Sequence, residues 1–75
     1  MLVEVKSIEY GRFDMKKGKR EEVEVPVLIN TDQIQYIRPS DDEEDQCMIQ
    51  FSGGWPIFVH GTLESVGRWL NGLKE

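Results

Sequence analysis

Residues 21–29 read EEVEVPVLI, and no other stretch constrains the fold more tightly. Val23, Val25, Val27 and Ile29 fall on one face of an extended chain, with Glu22 and Glu24 on the other. That is the period of a half-buried β-strand. Such a strand needs a pairing partner and a layer to cover its apolar face. Residues 2–13, LVEVKSIEYGRF, are rich in the β-branched and aromatic types that suit a strand, and they supply the partner. Val3 and Val5 share a face there while Ile8 and Tyr10 take the other, so the phase slips near Lys6-Ser7. A bulge at that point would reconcile the halves. Residues 14–20, DMKKGKR, form the polar loop of a long hairpin. Pro26 cannot donate to a ladder, which points to an edge position or a bulge.

Turn chemistry follows at Asn30 to Gln33, NTDQ. Three shorter strands are expected over 34–38, 47–51 and 55–60. Between the last two, Ser52 to Gly54 read SGG, a tight turn that permits positive φ. The period then changes. Leu63, Val66, Leu70 and Leu73 recur at helical spacing with Trp69 beside them, which predicts a helix over 63–71. Thr62 suits its N-cap, Glu64 its first turn and Asn71-Gly72 its stop. Gly67 weakens this helix by about 1 kcal/mol relative to alanine. It either permits close approach to the sheet or is neutral. The expected fold is therefore α+β: a small antiparallel sheet of about five strands with one C-terminal helix packed on one face, in a single domain spanning 1–75.

The 75 residues leave little core, so stability needs a supplement. Cys47 is the only cysteine and His60 the only histidine. An internal disulfide and a cysteine-rich zinc site are excluded, and self-association is the natural remedy. No apolar run is long enough for a membrane helix. Glu4, Lys6 and Glu9 interrupt the N-terminal segment, unlike a signal peptide. With one free cysteine the expected location is a reducing cytoplasm.

The chemistry-bearing patterns are few. No nucleophile elbow, phosphate loop, dinucleotide fingerprint or metal-binding histidine pair occurs. Cys47 and His60 could in principle form a thiolate–imidazole pair, but Cys47 begins an apolar strand, where cysteine acts as a small hydrophobe. The expectation is a non-enzyme without cofactor or metal. Lys16, Lys17, Lys19 and Arg20 make a basic tip able to touch phosphate, but no aromatic lies within it to stack on bases. The net charge of −5 disfavours nucleic acid as the partner. Asp41, Asp42, Glu43, Glu44 and Asp45 carry the whole of that net charge, because the remaining residues hold nine cations and nine acids. Contiguous acids without a following glycine or flanking helices do not make a calcium loop. They read as a solvated tip that keeps the chain soluble or meets a basic partner.

One surface stands out. On the strand over 55–60, Trp55, Ile57 and Val59 occupy one face, and Pro56, Phe58 and His60 the other. One short helix covers a single sheet face, so the second is expected either to associate or to lie under the long hairpin. Its candidate contact residues are Tyr36, Trp55, Phe58 and His60, and the expected partner is protein, with a homodimer or higher oligomer foremost.

From the second strand onward the chain runs VLINTDQIQYI, a polar loop, and MIQFSGGWPIFVHGTLESVGRWL. Over about residues 23–70, with Asn30, Ile34, Gly53, Gly54, Val59, Glu64 and Val66 as the matching positions, it resembles small bacterial flagellar and swarming-motility proteins and similar short bacterial or phage proteins. The resemblance implies a small non-enzymatic cytoplasmic factor and supplies no catalytic residues.

Overall fold

The computed structural model describes residues 1–41 and 43–73. The elements run β1 (Leu2–Asp14), β2 (Lys19–Asn30), a 3-10 turn (Thr31–Gln33), β3 (Ile34–Pro39), β4 (Gln46–Phe51), β5 (Ile57–His60) and α1 (Leu63–Gly72). The fold is α+β, with five antiparallel strands in two sheets and a C-terminal helix. One sheet is the β1-β2 hairpin and the other has the order β3-β4-β5.

Three local expectations need correction. First, the hairpin keeps register from Leu2↔Asn30 to Tyr10↔Glu22, with no slip at Lys6-Ser7. The bulge lies between Tyr10 and Phe13, where Phe13 pairs with Arg20 and β1 carries one residue more than β2. Ser7 and Ile8 are both buried, so both faces of β1 are covered there and no phase change is needed. Second, the loop is shorter than residues 14–20. Asp14 still pairs with Lys19. Asp14 Oδ1 accepts from the backbone N–H groups of Lys16 and Lys17, its carbonyl accepts from Gly18 N–H, and Gly18 takes φ 70°. Side-chain capping together with a left-handed glycine closes the turn in four residues. Third, β5 starts at Ile57. Trp55 and Pro56 lie outside it, because the turn after β4 extends past Gly54 and proline offers no ladder donor.

The core follows from strand register. Cys47 pairs with Val59, and Ile49 pairs with both Ile57 and Ile37, which sets their side chains on one face of the three-stranded sheet. Val66 and Leu70 of α1 cover that face, and Val5 and Ile29 from the base of the hairpin complete the cluster. Cys47 and Ile49 are fully buried. Burying an isoleucine of this kind stabilises the fold by about 1.5–3 kcal/mol.

The helix entry is tightly built. Ser65 N–H donates to Thr62 Oγ1 and Thr62 N–H donates to Ser65 Oγ, a reciprocal capping box. Gly61 reaches it at φ 131°, and a Cβ there would lie 3.0 Å from Ser65 Oγ and 3.1 Å from Val66 Cγ2. At Gly67 a Cβ would meet nothing within 4 Å, so close approach to the sheet is not the reason for that glycine.

The molecule is drawn out, with extents of 45 × 21 × 18 Å and a radius of gyration of 13.3 Å. A compact chain of this length would have a radius of about 11 Å. The excess lies in the hairpin: from Glu9 to Glu24 every residue is exposed except half-buried Asp14. Among the described residues no helix is long and apolar enough to cross a membrane.

Candidate functional site

The four residues expected to form one contact surface divide between two places. In the β3-β4-β5 register, Tyr36 lies opposite Gln50, Phe58 opposite Met48 and His60 opposite Gln46. All three therefore share the sheet face turned away from α1. Tyr36 is exposed and Phe58 half-buried, while their neighbours Gln46 and Met48 are buried. β1 lies close along β5, and His60 Nε2 stands 2.7 Å from Glu22 Oε1 of β2. The first hairpin thus closes over the β5 side of this face. It is not a flat open surface.

Trp55 is elsewhere. It is 91% exposed, on the connection that leads into β5. It lines a groove of about 420 Å³ with Leu28, Val27, Ile29, Phe51 and Ile57. Gln50 Nε2 donates to the carbonyls of Phe51 and Gly54 and so ties down the turn that carries the indole. Leu28 is itself 69% exposed. It was missed in the sequence reading, although the alternation shows it: Leu28 is out of phase with Val23, Val25, Val27 and Ile29 and so must point outward. Large apolar side chains exposed side by side mark contact surfaces more reliably than single ones.

The basic tip is only partly loop. Lys16 and Lys17 lie in the turn, while Lys19 and Arg20 open β2. Among the described residues none of the four takes part in an ion pair. The acidic loop joins β3 to β4. Arg38 Nη2 lies 3.4 Å from Asp41 Oδ2, and the Asp45 carbonyl accepts from Gly61 N–H at 2.6 Å. Glu43, Glu44 and Asp45 are exposed. Asp42 lies outside the described residues. Among those residues no three His, Cys, Asp or Glu side chains come together as a metal-binding group.

Cys47 and His60 do not form a pair. Cys47 faces the core, where its Sγ donates to the Gly61 carbonyl at 3.3 Å, and His60 lies on the opposite sheet face. Burial pushes the Cys47 thiol up from its ordinary value, which keeps it protonated and unreactive. A smaller cleft of about 330 Å³ runs between the hairpin and α1, lined by Val5, Lys6, Glu24, His60, Val66 and Trp69. Ser65 lines it as well, and its hydroxyl is held in the helix cap, accepting from Thr62 N–H and donating to the Thr62 carbonyl. The exposed aromatics Tyr10 and Phe13 on β1 also escaped the sequence reading, because they share a face only through the bulge. Comparison with protein families, curated proteins and solved structures finds no match for the chain.

Proposed function

We propose that the protein is a small, non-enzymatic cytoplasmic factor that acts by binding protein, a second copy of itself included. The observation that carries this reading is the indole of Trp55, 91% exposed beside Leu28 on the rim of an apolar groove. Tryptophan is among the residues that contribute most when buried in an interface, and leaving one in water forgoes that contribution. The buried thiol and the separated histidine agree with a non-catalytic role. Tyr36 is a further exposed aromatic for such contacts. Sedimentation at micromolar protein, combined with Trp55 fluorescence in a Trp69→Phe background, tests the reading. Association should shift the Trp55 emission to the blue, and Trp55→Ala should weaken association. A Trp55 emission that stays water-like with every protein mixture in which the chain is retained would remove this surface from the proposal.

A second reading is contact with nucleic acid or another acidic partner through Lys16, Lys17, Lys19 and Arg20. It is favoured by their place at the end of a projecting hairpin with no internal ion pair among the described residues. Retention on nucleic acid that is unchanged in a Lys16/Lys17/Lys19 triple alanine variant would sink it.

A further inference from the structure

We infer that the distal hairpin arm, residues 9–24, docks against the same arm of a second copy of this chain, with each basic tip set against the acidic loop of the other copy. This goes beyond the binding role proposed above and uses a surface other than the Trp55 groove. Four observations lead to it. The arm has no core of its own, and Tyr10 and Phe13 are 50% and 58% exposed. A two-stranded ribbon without a third strand or a covering layer is marginal in water.

The bulge gives the arm one apolar face. Tyr10 pairs with Glu22 and Phe13 with Arg20. Glu22 and Arg20 are two apart on β2 and so share a face, which brings Tyr10 and Phe13 onto that same face. It is the face from which Glu22 reaches His60. Nearer the body it is covered at Ile8, and beyond His60 it overhangs uncovered.

The charges along the arm are ordered. Asp45 bonds Gly61, and the adjacent His60 holds Glu22, so the acidic loop stands at the level of Tyr10. The basic tip lies about 15 Å further out at 3.3 Å per residue. The acidic loop with Tyr10, then Phe13, then the basic tip therefore follow one another along the arm. A two-fold axis near Phe13 reverses that order in the second copy. Phe13 then meets Phe13, and each tip meets the opposite loop and the Tyr10 beside it, which is the self-complementarity an isologous contact requires. The aromatics supply the burial, and the charges steer and fix the register.

The same charges argue for a second copy over nucleic acid. Residues 9–24 contain five acids, Glu9, Asp14, Glu21, Glu22 and Glu24, against five cations, so only the tip is positive. A phosphate backbone laid along the arm would meet the acids. In the two-fold arrangement Glu22 and the acidic loop, both at the level of Tyr10, come opposite the basic tip of the second copy.

Sedimentation equilibrium of the full chain tests this, with circular dichroism to confirm folding of each variant. The variants are Tyr10→Ser/Phe13→Ser, Lys16→Glu/Lys17→Glu and Glu43→Lys/Glu44→Lys. The wild type should form a dimer weakened by salt, and each variant alone should dimerise at least about tenfold more weakly, a difference of 1.4 kcal/mol. Mixing the tip variant with the loop variant should restore part of the dimer, because one of the two tip–loop meetings then keeps its native opposite charges, whereas both are altered in either variant alone. Three results would overturn the inference. Variants that dimerise like wild type, with dimers lost only in Trp55→Ala, would leave self-association standing on the Trp55 groove. A wild type monomeric at all accessible concentrations would leave Trp55 to some other protein. A monomer whose tip binds a nucleic-acid duplex in a salt-sensitive way would assign the arm to nucleic acid.

Discussion

The body and the arm are made from the same hairpin, yet only one end of it has a core. At the base, Val5 and Ile29 lie under α1 among Cys47, Ile49 and Val59. At the distal end the ladder continues through Phe13↔Arg20 and Asp14↔Lys19 with every side chain but one exposed. The hydrogen-bonding pattern persists and the burial does not. Backbone pairing contributes modestly because water offers the same bonds, whereas apolar burial is the dominant favourable term. Stability should therefore belong to the body, and the arm should be held by its anchor and by whatever covers it.

That contrast can be broken from the body first. Ile49→Ala removes a fully buried side chain and should destabilise by about 2–5 kcal/mol in denaturant titration. A loss under 1 kcal/mol, the scale of a mere surface change, would mean that the core is elsewhere. Gly61→Ala comes next, at about 1–3 kcal/mol, because it forces an L-residue into φ 131° against Ser65 and Val66. Gly67→Ala should have the opposite sign, a gain of up to about 1 kcal/mol, since its Cβ enters open space in a helix. The two glycines, six residues apart, separate backbone necessity from helix propensity. Val23→Thr in the arm should change monomer stability by no more than about 0.5 kcal/mol. Hydrogen exchange should sharpen the same comparison, with arm amides exchanging by local opening and those of β4 only near global unfolding.

Cys47 offers a pH test of the body. Its thiol is raised in the folded state by burial, so the unfolded chain loses that proton first as pH rises. Stability from this group is intact below the unfolded value, near 9.0, and falls as pH climbs through the folded one. Cys47→Ala should flatten the decline above that pH in thermal melts, and an unchanged slope would assign it to other groups. Thiol labelling of the wild type should need denaturant.

Much of this was legible in the residues. The alternation at Val23, Val25, Val27 and Ile29 identified β2, and the spacing of Leu63, Val66 and Leu70 identified α1 with its Thr62 cap, because periodicity and capping are local. Trp55 was placed one element too far into a strand. Its apolar neighbours suggested β-structure, but the ladder begins only where β4 can pair with it, at Ile49↔Ile57.

By itself, the sequence determined which segments extend and which coil, that no internal disulfide can form, and that the five acids between the third and fourth strands carry the net charge. Only the tertiary structure decided that the bulge falls after Tyr10, bringing Tyr10 and Phe13 to one face, and that His60 meets Glu22 while Cys47 faces the core. It also decided that the hairpin outruns its own body. The reason is that a single strand pattern shows which side chains need cover, but the amount of cover depends on how far the other layer extends. Here α1 has ten residues, and the hairpin strands have thirteen and twelve at more than twice its rise per residue.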